Sequence, residues 1–259
     1  MRISQPREGA LVMTSQFFML VALGAAAGGF INGLAGFGTA LFALGFFLAA
    51  LPPLEAVALV FLVAIATGFQ GLWVVRRAIF AHKLRLLRFV LPALGGIYLG
   101  VLSLKYVDVS LLKLVIATFL ILYGGFFSLQ RRLPQIARPT HVMDVCVGFC
   151  GGVLGGLAGL SGALPSMWCA LKDWSKSETR GVLQPYNFIV LLISAILLLF
   201  SEAYSAQTLY AAAIAIPVSL AAAQAGLWVF HKVQDATFRR LIIGLCLISG
   251  VLLMIAEVT

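Results

Sequence analysis

Charge is what this chain has least of. Asp, Glu, Lys and Arg make up 10% of its 259 residues, against about 25% in a soluble domain. With 62% of the residues apolar, that shortage excludes an ordinary water-soluble domain. Acids are the scarcer sign, nine against eighteen Lys and Arg. Glu55, Asp144, Asp173, Glu178 and Glu202 read as lying near the ends of apolar runs, and no acid, His, Lys or Arg reads as mid-run. The carboxylate and histidine relays that mark proton pathways are therefore not expected. The three histidines, His82, His141 and His231, sit beside basic loops. There is no His-Glu-x-x-His helix, no pair of aspartates inside an apolar run and no serine with a base beside it. No catalytic residue is assigned and an enzyme is not expected. Cysteine is limited to Cys146, Cys150, Cys169 and Cys246, without metal-knuckle spacing. No metal or other cofactor is expected, and all four read as small buried hydrophobes. Cys146 and Cys150, four apart, share a helical face.

What the chain does have is long apolar runs. They cover Leu54–Val75, Leu87–Leu104, Leu111–Leu129, Gly181–Phe200, Leu209–Phe230 and Leu241–Ala256. Runs of about 18 residues suit membrane-spanning helices. A membrane barrel would alternate polar and apolar residues in segments of about ten. The fold class expected is an all-α polytopic membrane protein, with the lipid bilayer as a partner. The net charge of +9 does not indicate nucleic acid. The basic residues stand in loops between apolar runs, without a basic face or an aromatic platform. Arg2, Arg7, the stretch from Phe17 and Ala25-Ala26-Ala27 together resemble a cleaved leader. Phe17–Gly28 aligns with Val142–Gly151 in mid-chain, however, so it is read as a structural element.

That alignment belongs to a duplication. Gly29-Phe30-Ile31-Asn32-Gly33-Leu34-Ala35-Gly36-Phe37-Gly38-Thr39-Ala40-Leu41 matches Gly152-Val153-Leu154-Gly155-Gly156-Leu157-Ala158-Gly159-Leu160-Ser161-Gly162-Ala163-Leu164. Seven of thirteen positions are identical at an offset of 123. Glu55 pairs with Glu178, Pro92 with Pro217, Gly100 with Gly226 and Asp108 with Asp235, the offset drifting only to 127. Two copies of one unit are expected, 16–131 and 141–257, joined by a polar linker carrying Pro134 and Pro139. Each copy would hold a glycine-broken helical hairpin followed by three membrane-spanning helices. The descending arms lie near Gln16–Gly33 and Val142–Ala158, the short returning arms near Thr39–Ala50 and Ala163–Leu171. Half-depth hairpins with tips near the centre are expected, with two full crossings as the open alternative.

Charge then orients the copies. If each broken segment crosses once, the Lys and Arg divide 10 against 8 between the two sides. If it returns to its own side, fourteen share one face and only Arg2, Arg7, Lys105 and Lys113 lie on the other. The second arrangement satisfies the positive-inside rule. It also makes the second copy an inverted repeat of the first, with both termini outside.

Paired glycine-broken segments point to a transporter's binding site. A tip inside the membrane exposes backbone that only protein or a wet cavity can satisfy. Thr39 or Gly38, and Ser161 or Gly162, would start the returning helices, and helix N-termini favour anions. Pro185 would kink or open its helix beside Gln184 and Asn187, which could then donate to an oxyanion. The candidate substrate-binding residues are Asn32, Gly36, Gly38, Thr39, Gly159, Ser161, Gly162, Gln184 and Asn187. Small residues at such positions also serve close packing. Duplication, and the polar Asn32, Thr39 and Ser161, favour a site. Thr67, Gln70, Tyr186 and Gln224 are the other intramembrane polar residues noted, with interhelical bonding as their alternative role. Lys172, Lys176 and Arg180 are placed at the inner mouth, where they could draw anions.

The duplicated Gly-Leu-Ala-Gly core, its spacing to Pro165, and Glu178-Thr179-Arg180 resemble the TauE/SafE family of sulfite exporters. The resemblance covers nearly the whole chain. The first copy departs from it, with Phe42 where the second has Pro165. What the resemblance implies is export of sulfite or a small organosulfonate across the cell inner membrane. The expected function is thus a secondary transporter moving a small anionic substrate outward by alternating access. An uptake transporter or channel for small anions is the alternative, and a homodimer is left open.

Overall fold

The computed structural model describes residues 15–103, 109–130, 136, 140–199 and 204–258. Among them are ten helices and no strand. They are α1 (Ser15–Ala35), α2 (Thr39–Leu48), α3 (Pro53–Ala81), α4 (Lys83–Ser103), α5 (Val109–Leu129), α6 (His141–Ala158), α7 (Ala163–Ala170), α8 (Lys176–Leu198), α9 (Ala206–Lys232) and α10 (Asp235–Val258). Every apolar run read from the sequence lies largely within one of these helices. Arg2, Arg7, Lys105, Asp108, Arg131, Arg132, Pro134, Arg138, Pro139 and Glu202 lie outside the described residues. Of the linker, Ile136 is described: its N–H donates to the Leu171 carbonyl at the end of α7.

Five helices, α1, α3, α8, α9 and most of α10, are long and apolar enough to cross a membrane. The protein is a multi-pass helical membrane protein. Local signals set the starts. Pro53 occupies the first turn of α3, where its missing N–H costs nothing. Ser175 and Glu178 form a reciprocal capping box on α8. Ser205 caps α9 by accepting from the Thr208 N–H. Pro185 does not open its helix as expected: α8 runs unbroken from Lys176 to Leu198. Packed neighbours let membrane helices tolerate such a proline.

The hairpins have unequal arms. The 21 residues of α1 extend about 31 Å, the thickness of a hydrocarbon core. The 10 residues of α2 return about 15 Å. The same disproportion holds for α6, with 18 residues, and α7, with 8. The first arm is therefore longer than the half-depth expectation.

Glycine seams join helices far apart in the chain. α1 lies along α9 and α4 along α6. Gly29 and Gly33 face the Ser219 and Ala223 backbones, and Gly226 faces the Phe30 carbonyl. In the other seam Gly148 and Gly152 face Phe89 and Ala93, while Gly96 and Gly100 face Phe149 and Val153. A Cβ at any of these glycines would overlap the opposite backbone. Such contact is how membrane helices gain packing energy without a hydrophobic driving force. α3 packs on α8, and α5 on α10. Glu55, in the first turn of α3, accepts from Thr208 of α9 at 3.0 Å. Glu178, in the first turn of α8, accepts from Arg85 of α4 at 2.8 Å.

Large apolar side chains such as Phe69, Trp73, Phe80, Phe119 and Phe126 face outward, as they do where the surroundings are lipid. Cysteine divides two and two. Cys169 and Cys246 are buried, but Cys146 and Cys150 are exposed together on α6, a correction to the expectation that all four are buried.

Candidate functional site

Both hairpin tips are shaped by glycine. Gly36, at φ +84°, follows α1, and Gly159, at φ +69°, follows α6. Each donates its N–H to the carbonyl four residues back, Asn32 at 2.8 Å and Gly155 at 3.0 Å. This left-handed cap ends a helix and requires a residue without a Cβ. Gly38, at φ +92°, makes a second such turn in the first tip. The N-caps of α2 and α7 are Gly38 and Gly162, with no side-chain cap bond at either. Thr39 and Ser161 thus do not cap their helices; their hydroxyls bond across the bundle instead.

Around the first tip, four helices share one polar network. Asn32 of α1 donates from Nδ2 to Thr39 Oγ1 of α2 at 2.9 Å and to Thr67 Oγ1 of α3 at 3.0 Å. Its Oδ1 accepts from Gln184 Nε2 of α8 at 3.2 Å. At the second tip Ser161 donates to Asn187 Oδ1 of α8 at 2.5 Å. The five residues singled out as donors, Asn32, Thr39, Ser161, Gln184 and Asn187, are all buried. Buried side-chain networks of this kind hold a core in one arrangement to the extent that their members are paired.

The tips meet. Gly162 abuts the Phe37 side chain, leaving no room for a Cβ. Beside this contact is a cavity of about 10 Å³ lined by Gly38, Thr39, Gly159, Gly162 and Asn187, with Phe37, Ala40, Leu41, Leu160, Ala163 and Leu191. That is room for about one water, so a larger ligand needs the tips to separate. No charged residue lines it. Two donors there have no partner among the described residues: the Thr39 hydroxyl proton and the Asn187 amide nitrogen. Of the remaining sequence candidates, Asn32, Ser161 and Gly36 adjoin the cavity residues, while Gln184 stands one residue further back, bonded to Asn32. Asn32 holds Thr39, Ser161 holds Asn187, and Gly36 packs on Gln184.

The family model for the sulfite exporter TauE/SafE matches residues 20–253. The chain belongs to the TauE/SafE sulfite exporter family. Neither the curated proteins nor the solved structures compared with it gave a match. The family match includes both hairpins and every candidate residue named above.

In this TauE/SafE chain the residue that sequence reasoning misplaced is Arg180. The sequence places it at the inner mouth, but its side chain is fully buried in α8. Its guanidinium donates to the Asn32 and Leu34 carbonyls at 3.4 and 3.5 Å and to Gln184 Oε1 at 3.2 Å. A cation there also suits the carbonyl end of α1. The signal was available: positions 180, 184 and 187 share one helical face. The other two mouth lysines are occupied. Lys172 pairs with Asp144 at 3.2 Å and also donates to Thr140. Lys176 donates to the Phe230, His231 and Val233 carbonyls and so closes the end of α9. Gln70 bonds Gln224 between α3 and α9, and Tyr186 bonds the Gly148 carbonyl of α6. These are the interhelical roles given as alternatives.

A second, larger cavity of about 570 Å³ opens near the α3–α4 turn. His82, Lys83, Arg85, Arg88, His141 and Lys172 face it against Asp144 and Asp173. A pocket with an excess of basic side chains raises the local concentration of anions.

Proposed function

We propose that this chain exports a small sulfur oxyanion, sulfite or an organosulfonate, across the cell inner membrane by alternating access. The working parts are two inverted repeats, 16–131 and 141–257, with the anion held between their hairpin tips. Family membership supports the sulfur-anion class. The observation that carries the site is the small, acid-free cavity where both tips meet, with unspent donors on Thr39 and Asn187. Oxyanions are bound by such fixed N–H and O–H groups. Asn32, Gly36, Gly38, Gly159, Ser161, Gly162 and Gln184 shape and hold that volume.

The repeat reading is supported by matched geometry at equal spacing. Gly36 and Gly159 are both left-handed. Glu55 with Thr208 and Glu178 with Arg85 are equivalent contacts, since 178 − 55 and 208 − 85 both equal 123. The two glycine seams are likewise equivalent, each joining the first helix of one repeat to the fourth of the other. Tips closed around space for one water favour a carrier over a standing channel. An inside-negative potential drives an anion outward by about 2.3 kcal/mol per charge per 100 mV.

Proteoliposomes loaded separately with sulfite, sulfate, thiosulfate, a short sulfonate or chloride test the reading. The expected result is flux of sulfite or the sulfonate, accelerated by a potential negative on the loaded side. Folded protein that moves none of these anions overturns it.

A further inference from the structure

Arg180 carries a full positive charge held out of water among neutral partners. Its exposure is 0%. Charge-assisted bonds run about 2.7–2.9 Å, whereas its three acceptors lie at 3.2, 3.4 and 3.5 Å. The Phe230 ring is 4.5 Å from the guanidinium carbon. Among the described residues no carboxylate pairs with it. Lys172 is also buried, yet it has Asp144. Burying an ion without a counter-charge is expensive, and ionisable residues kept inside membrane bundles mark ion and substrate paths.

The neighbouring loop gives that charge a way to the cavity. A Cβ on Gly36 would stand 3.2 Å from Arg180 Cγ and 3.0 Å from Gln184 Oε1. The next two residues, Phe37 and Gly38, line the tip cavity. One short loop thus touches the arginine and walls the cavity. Both of its glycines are left-handed, so it can change dihedrals without moving a Cβ.

We propose that Arg180 is the counter-charge for the transported anion. When the tip loop shifts, the guanidinium leaves the last carbonyls of α1 and pairs with the anion. Its planar fork suits an anion with two oxygens on one centre, as in sulfite or a sulfonate, better than chloride. The proposal rests on the transporter reading above and names the group that recognises the substrate's charge.

The experiment measures concentration-dependent sulfite flux in proteoliposomes for wild type and four variants. Arg180→Gln raises the half-saturating sulfite concentration at least about tenfold, the loss of a charge-assisted bond. Arg180→Lys recovers part of that loss. Gln184→Glu and Gln184→Ala keep the arginine in place, so they serve even if Arg180→Gln does not fold. The glutamate gives Arg180 an internal carboxylate that competes with the anion. Its half-saturating concentration is expected to exceed that of Gln184→Ala by at least about tenfold. An arginine that only caps α1 predicts wild-type saturation in folded Arg180→Gln, and equal behaviour of the two Gln184 variants means that the anion does not come near this cluster. That equality, or wild-type saturation in folded Arg180→Gln, overturns the counter-charge while wild-type flux keeps the transporter reading. Absence of flux in wild type brings down both.

Discussion

Two donors at the tips are more informative than the glycines around them. Asn187 accepts from Ser161 and keeps its amide hydrogens; Thr39 accepts from Asn32 and keeps its hydroxyl hydrogen. Asn187→Leu and Thr39→Val are each expected to lower sulfite flux by about tenfold or more, with membrane yield retained. Near-normal flux in both would remove this cavity from the substrate path. The polar members of the cluster were legible because each interrupts an apolar run where a polar group must find a partner. Arg180 was not, because it follows Lys176 and Glu178 and reads as part of a basic belt. Its burial depends on where the end of α1 docks, a contact 146 residues away in the chain. The Lys172–Asp144 pair escaped notice for a similar reason: each residue alone resembles an ordinary helix-end charge.

At the scale of elements, the hairpins combine a fixed arm with a lighter one. α1 and α6 are held along their length by glycine seams, whereas α2 and α7 are short and end in turns. Behind α2 lies a largely apolar groove of about 320 Å³, bordered by Leu252, Leu253 and Glu257 of α10 and reaching Ala40 and Leu160. Gly36→Leu and Gly159→Leu place a side chain at a left-handed position against Gln184 or Phe61. Both should abolish flux while folded protein still reaches the membrane, as judged by size-exclusion of the purified variants. Wild-type transport in both would return the tips to a packing role. The hairpins were readable in sequence to within one or two residues of the start of each returning helix. Their capping was not: Thr39 and Ser161 are good caps by type, but the cross-bundle partners Asn32 and Asn187 claim their hydroxyls.

For the whole molecule, the uneven placement of Lys and Arg is a statement about sidedness. We propose that both chain ends lie outside, on the sequence reading that places fourteen basic residues on one face against four on the other. Tags at the two ends should both be removed by a protease added to intact spheroplasts. Protection of either tag would contradict the inverted arrangement. Overall helix content and the number of apolar runs were evident from composition. Which helix lies beside which was not, since glycine faces on α1, α4, α6 and α9 are interchangeable by sequence alone.

The crossed seams also bear on how the molecule is made. Synthesis delivers α1 to the membrane first, but its glycine face meets α9, which begins at Ala206. Until the ribosome has passed that point, the first hairpin stands in the bilayer with a bare backbone ridge and no mate. Neither half can finish alone, because each holds the groove into which the other's leading helix must fall. The α4–α6 seam can close once α6 is made, so the α1–α9 seam is the later of the two, and the membrane insertion machinery has a long interval in which to shield, or lose, the waiting helix.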